Sequence, residues 1–295
     1  MALTDRIVRA TAADGQLRAM AVVGTNLVEE ARVRHNCSKT ATAALGRSLM
    51  ATLLLGANLK GEDTITLRIM GDGPLGALIC SADASGKVRG YLQEPDADLP
   101  VNSKGKIDVS GGVGTQGFLH VSKDLGLKEP YTGSSPIVSG EIAEDITYYL
   151  ATSEQIPSVV ALGVLVDKDL SVKAAAGYII QVMPGASEET ISRLEQIVAE
   201  VLPVSNLAEQ NLSPEEILTT VLAEWEVKIL ESNPVFFGCN CNRERLEGIL
   251  ISLGEQELEA MIEEQGEAEL TCHFCADKYQ FNKEALTQLL KDSLK

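Results

Sequence analysis

Four of the six cysteines in this 295-residue chain crowd toward its C-terminal end, as Cys239-Asn240-Cys241 and Cys272-His273-Phe274-Cys275. Thirty residues separate the two motifs, giving the pattern CxC–x30–CxxC. Two close thiol pairs can surround one tetrahedral ion, and thiolate sulfur suits zinc, with Zn–S bonds near ~2.3 Å and four ligands in a closed structural site. This constrains the fold, because the intervening residues must bring their two ends together. Neither pair alone says much. Both pairs in one small acidic region predict a single Zn²⁺ per chain in the reduced protein, held by Cys239, Cys241, Cys272 and Cys275. His273 is a possible competitor, but four sulfurs already fill such a site. Buried thiols or permanent disulfides are the competing readings.

The first residues, Met1-Ala2-Leu3-Thr4-Asp5-Arg6, lack a basic segment followed by an apolar one. No stretch of eighteen apolar residues offers a membrane span, so the expected location is the cytoplasm, with no membrane partner. In that reducing compartment, paired cysteines are more often metal ligands or redox sensors than structural disulfides. Asp and Glu number 42 against 25 Lys and Arg, for a net charge of −17. This balance, without a basic run, argues against a zinc-ribbon protein that binds nucleic acid.

Upstream of the cysteines the pattern is strand-rich. Residues 4–33 alternate about the turn Ala13-Asp14-Gly15 and read as a hairpin, followed by a loop holding His35, Asn36 and Cys37. Ser38 can cap a helix to about Asn58, with Ala41, Leu45, Leu49 and Leu53 on one face. Residues 64–92 read as strands, with Cys80 as a core thiol. Residues 107–123 read as a glycine-bent hairpin, and 131–140 as a lead into a helix. The acidic start of that helix, Glu141, Glu144 and Asp145, reads as a solvated face that complements the helix dipole. Strands are expected over 158–166 and 172–182. After Pro184-Gly185 two amphipathic helices follow, the second with a capping box, Ser213-Pro214-Glu215-Glu216. These helices need a cover, from the body, the cysteine region or both. Past Asn233-Pro234, two short helices, a strand entering CHFC, a strand at Tyr279-Gln280-Phe281 and a final helix are expected.

No enzyme emerges. Cys37 beside His35 lacks a third orienting group. Gly71-Asp72-Gly73-Pro74 lacks the Lys and Ser/Thr of a phosphate loop. His120 alternates with apolar strand residues and has no second ligand at metal-site spacing. CHFC sits between apparent strands, whereas a thiol oxidoreductase would want it opening a helix near a βαβ unit.

CNC–x30–CHFC in an acidic chain of this length, together with QGFLHVSKDLG and SGEIAEDITYYLATSEQIPS, resembles the heat shock protein 33 family of bacterial redox-regulated chaperones. The resemblance covers essentially the whole chain. It implies an α+β fold in three parts: a strand-rich N-terminal core domain with packed helices (1–183), a helical linker (184–232) and a small C-terminal zinc-binding redox-switch domain (233–295). It implies an ATP-independent holdase, inactive when reduced and zinc-bound, whose partners are unfolding client proteins and whose active form is a homodimer. It also implies disulfides Cys239–Cys241 and Cys272–Cys275 in the oxidised form, although spacing alone permits three pairings.

Overall fold

The computed structural model describes residues 4–293 and divides into two compact units, Met1–Gly238 and Cys239–Lys295. In the first unit, β1 (Arg6–Ala12) turns through Ala13–Gly15 into β2 (Leu17–Val23), pairing Arg6 with Val23 and Ala12 with Leu17. The hairpin stops there. Thr25–His35 is a helix, α1, not a continued strand and loop. The buried Asp5 carboxylate accepts from the backbone N–H groups of Asn26 (3.3 Å) and Leu27 (2.6 Å), satisfying donors that a helix start leaves open. Leu27, Val28 and Ala31 then share one buried face. Ser38 caps α2 (Lys39–Leu55) as expected, accepting from the Ala41 N–H at 3.1 Å.

The strands β3 (Thr64–Gly71), β4 (Ala77–Asp83) and β5 (Lys87–Leu92) form an antiparallel meander. The expected strand at 107–109 is instead the lead into a short helix, α3 (Val109–Val113), which Asp108 caps by accepting from the Gly111 N–H. Then come β6 (Gly117–Asp124) and β7 (Tyr131–Pro136), the latter an edge strand where a loop was expected. Its polar sequence, YTGSSP, hides the alternation.

Helix α4 (Ala143–Thr152) corrects another expectation. Asp145 does not sit on a solvated face: it is fully buried. Its carboxylate accepts from the backbone N–H groups of Val138, Ser139, Gly140 and Ile142, at 2.8 to 3.4 Å. This ties down Ile142, a β-branched residue at φ +61°. Glu141 meanwhile pairs with Arg47 at 2.6 Å.

The chain continues through β8 (Ser158–Val166), β9 (Val172–Val182), α5 (Glu188–Glu200), α6 (Val204–Glu209) and α7 (Pro214–Val221). It returns to the body as β10 (Lys228–Pro234) and β11 (Phe236–Phe237). One sheet has the order β10-β1-β2-β9-β8, the other β11-β5-β4-β3-β6-β7. Helix α2 contacts β8 and β9 of the first sheet and β4 and β5 of the second, so it lies between them. It is buried over most of its length, and Ser48 and Thr52 satisfy their hydroxyls by donating to carbonyls four residues back.

Strand alternation gives the first sheet two faces. On the face away from α2, Val8, Ala10, Leu17, Ala19, Ala21, Ala174, Ala176, Tyr178 and Ile180 pack with Leu194 of α5, Val204 and Leu207 of α6, and Ile217, Leu218 and Val221 of α7. The helices' cover is therefore the body. The capping box of α7 is present, with Glu216 accepting from the Ser213 N–H at 2.8 Å and Ser213 accepting from the Glu216 N–H at 3.3 Å.

The second unit contains α8 (Arg243–Ser252), α9 (Glu255–Glu264), β12 (Glu267–Thr271), β13 (Lys278–Asn282) and α10 (Lys283–Ser293). β12 and β13 form the expected hairpin, pairing Thr271 with Lys278. Its core is small: Leu246, Leu250, Leu258, Phe281, Leu286 and Leu289 are the buried members of its apolar cluster. Among the described residues, no helix is long and apolar enough to cross a membrane.

Candidate metal centre

The CxC motif lies in irregular chain ahead of α8, whose N-cap is Asn242, accepting from the Arg245 N–H at 2.8 Å. This cap fixes the chain direction immediately after Cys241. The CxxC motif lies in the tight turn between β12 and β13. There the Cys272 N–H donates to the Asp277 carbonyl (2.9 Å), the Ala276 N–H donates to the Cys272 carbonyl (2.8 Å), and Ala276 takes φ +58°.

Folding brings the four sulfurs of Cys239, Cys241, Cys272 and Cys275 within 4.8 Å of one another. Two approaches run between the motifs, 3.8 Å from Cys239 to Cys272 and 3.3 Å from Cys241 to Cys275. A tetrahedron of sulfurs about a Zn²⁺ with ~2.3 Å bonds has edges of about 3.8 Å, so the donor set fits that ion in size and in chemistry. Cys275 is buried, and the other three sulfurs are half-buried. His273 is not a member of the donor group.

Burial pushes the Cys272 thiol up, opposed by the backbone N–H groups of Phe274 and Cys275 directed at its sulfur. Burial likewise pushes Cys275 up, opposed by the Asp277 N–H. Four adjacent sulfurs cannot all carry charge in such surroundings without a cation to neutralise them, which is what a metal ion supplies.

Sequence reasoning placed Tyr279 only as a strand residue. Its phenol lies 3.4 Å from the Cys241 sulfur and 3.5 Å from the Cys241 carbonyl oxygen. The hydrogen bond with Cys241 raises the phenol above its ordinary range, keeping it protonated. Arg243 was also missed. It stacks 4.4 Å from the Phe281 ring centroid and donates to the Gln280 carbonyl at 3.0 Å, fastening the start of α8 to β13. Strand alternation, which puts 279 and 281 on one side, was the available signal for both contacts. The remaining cysteines are not members of the cluster. Cys37 and Cys80 are buried in the first unit, with burial pushing Cys37 up to about 12 and Cys80 still higher.

A layered α+β body followed by a small unit whose distinctive chemistry is a four-thiol cluster defines a protein class rather than an enzyme cleft. Comparison with known proteins specifies it. The family model described as Hsp33 protein matches residues 5–282. A 33 kDa chaperonin of Desulforamulus reducens is 54% identical over 98% of both chains, and one of Bacillus cereus is 51% identical over 98% of this chain and 100% of that one. The crystal structure of a 33 kDa chaperonin, a heat shock protein 33 homolog from Thermotoga maritima, superposes with a TM-score of 0.92 at 38% identity, covering 99% of each chain. The chain belongs to the Hsp33 family, a non-enzymatic chaperonin family.

Proposed function

We propose that the protein is a redox-regulated, ATP-independent holdase, held inactive by a reduced Zn²⁺ cluster and activated when the four cysteines are oxidised. The observation that carries this reading is the convergence of four sulfurs from two distant segments within 4.8 Å in a unit with a small apolar core. Small domains of this kind need a metal or disulfides to stay folded. Bound through Cys239, Cys241, Cys272 and Cys275, Zn²⁺ would supply that support, worth about 10–16 kcal/mol in small finger peptides, and keep the sulfurs as reactive thiolates.

Peroxide or hypochlorite takes two electrons from each thiolate pair and is itself reduced, leaving S–S bonds, Cys239–Cys241 and Cys272–Cys275, and no thiolate charge to retain a cation. The loss exceeds the few kcal/mol of stability expected of so small a unit, so its chain unfolds. In this reading residues 1–183 are the working body, 184–232 the linker and 233–295 the switch. Helices α5 to α7 then leave the first sheet, and the face containing Val8, Leu17, Tyr178 and Ile180, with the apolar sides of the helices, receives unfolding client proteins. The active form is a homodimer in the cytoplasm.

The test follows zinc release and free thiols during treatment with peroxide at raised temperature, or with hypochlorite, and assays client aggregation before and after. Suppression should accompany zinc release. Equal suppression in both states, or zinc retained after full thiol oxidation, sinks the switch. Cys272→Ser should lose tight zinc binding, and a variant that binds as tightly as the wild type refutes the four-cysteine site.

A further inference from the structure

We propose that Tyr279 is a positioning residue of the cluster: its phenol donates to the Cys241 sulfur, holds that sulfur in place and slows its reaction with oxidant. The inference rests on the reading that the cluster is a thiolate metal site opened by oxidation.

The geometry singles out Cys241. Cys272 receives N–H groups of Phe274 and Cys275, and Cys275 that of Asp277, all from the backbone of their own turn. Cys241 is approached instead by a side chain from β13, the Tyr279 phenol at 3.4 Å. A metal-bound thiolate has no proton, so in the loaded cluster a hydrogen bond between the two runs from phenol to sulfur, the Cys241 carbonyl oxygen at 3.5 Å being the other acceptor within reach of the same hydroxyl. The donor is anchored from both sides. Its strand position is fixed by the pairing of Tyr279 with Leu270, and its ring packs against the apolar core that contains Phe281. Partners beyond the ligands themselves orient metal ligands and tune their reactivity, and losing one typically changes affinity or activity ~10–100-fold.

The oxidation step shows where the phenol acts. A thiolate sulfur attacks one oxygen of a peroxide; the O–O bond breaks, hydroxide leaves, and the sulfur becomes a sulfenic acid. A second thiolate then attacks that sulfur, forming the S–S bond and expelling a second hydroxide. Two sulfurs lose two electrons to the peroxide, and solvent protons convert both hydroxides to water. Each attack uses a sulfur lone pair. A phenol donating to Cys241 ties up electron density there, so this sulfur attacks more slowly than it would unassisted. The hydroxyl that does this can be removed without altering any backbone.

The test is Tyr279→Phe in the full chain, which keeps the ring packing and deletes the donor. Circular dichroism and zinc stoichiometry of the untreated variant should match the wild type. Under hydrogen peroxide, quenched at intervals and mapped cysteine by cysteine, Cys241 in the variant should be consumed about 10-fold faster relative to Cys272, with earlier zinc release. Acceleration of all four cysteines together, or of none, overturns the proposal, since a purely structural role would act on the whole unit. A second measurement does not depend on oxidation. In Co²⁺-substituted protein, the sulfur-to-metal charge-transfer absorption should move to lower energy in Tyr279→Phe, and an unchanged spectrum overturns the proposal. Zinc retained by oxidised wild type would instead refute the switch, leaving the cobalt spectrum to decide the role of Tyr279.

Discussion

Truncating one buried side chain of the helical cover should separate its release from unfolding of the body. Leu218 on α7 is fully buried and packs with the alanine-rich face of the first sheet. Leu218→Ala removes apolar carbon worth about 2 kcal/mol in transfer terms, and the cavity left behind raises the cost to about 3 kcal/mol. At ~1.4 kcal/mol per tenfold, the helices should be undocked roughly 100 times more often. Amide exchange in reduced, zinc-loaded protein reads this directly. Protection of α5 to α7 should fall by about that factor, while α2 between the sheets keeps its protection. The same preparation should suppress client aggregation without oxidant. Leu202→Ala, at a site 54% exposed, should change stability by less than about 0.5 kcal/mol and serves as the control. If exchange accelerates equally in α2 and α7, the cover does not open separately. If α7 alone opens but aggregation is unaffected, the surface beneath it is not the client surface.

The docking of α7 should also respond to acid. Burial opposes ionisation of Glu215, but the hydrogen bond and charge of Arg6, its own backbone N–H and the Ser232 hydroxyl together outweigh it, so the carboxyl lies below its ordinary 4.5. A folded value below the unfolded one stabilises docking above pH 4.5 and loses that contribution as pH falls through the folded value. Exchange in α7 should therefore accelerate on that acidic limb, and Glu215→Gln should flatten the dependence; an unchanged pH profile in the variant refutes the linkage. Cys37 and Cys80 should resist alkylation at pH 8 in the native protein while the released cluster thiols react, because burial disfavours their thiolates. Mass mapping that finds either one modified before the body unfolds contradicts this.

What the sequence disclosed depended on how local each signal was. The cluster was legible because metal chelation writes its requirement into short spacings, and the hairpin β12–β13 because its turn contains CHFC. Helices α5 and α7 were legible as amphipathic, but an apolar stripe states that a face is covered and not by what; only the fold shows that Leu194, Leu207 and Leu218 meet the first sheet. Strand β10 was missed because all seven of its residues are exposed, so no burial pattern marks it, and backbone pairing to β1 holds it. Asp145 was misread for the opposite reason. Its acidic neighbours look solvated, whereas the preceding loop folds four N–H groups around its carboxylate. Tyr279 could be placed on a strand, but its contact with Cys241 depends on how two separate segments meet.

The cluster geometry finally sets a condition on the switch. Two sulfur approaches join one motif to the other, Cys239 to Cys272 and Cys241 to Cys275. Disulfides formed along those approaches would close loops of more than thirty residues and constrain the unfolded chain by about 4 kcal/mol in the chain-entropy estimate. They would replace the metal as a staple and keep the unit folded. Disulfides within CxC and CxxC close loops of only a few residues, constrain the chain much less, and leave the two segments free of each other. Oxidation can therefore act as a switch only if pairing proceeds within the motifs and not across them, although all four sulfurs lie within 4.8 Å of one another. Peptide mapping of oxidised protein should find Cys239 joined to Cys241 and Cys272 to Cys275. A dominant Cys239–Cys272 or Cys241–Cys275 linkage in active protein would refute unfolding of this unit as the trigger.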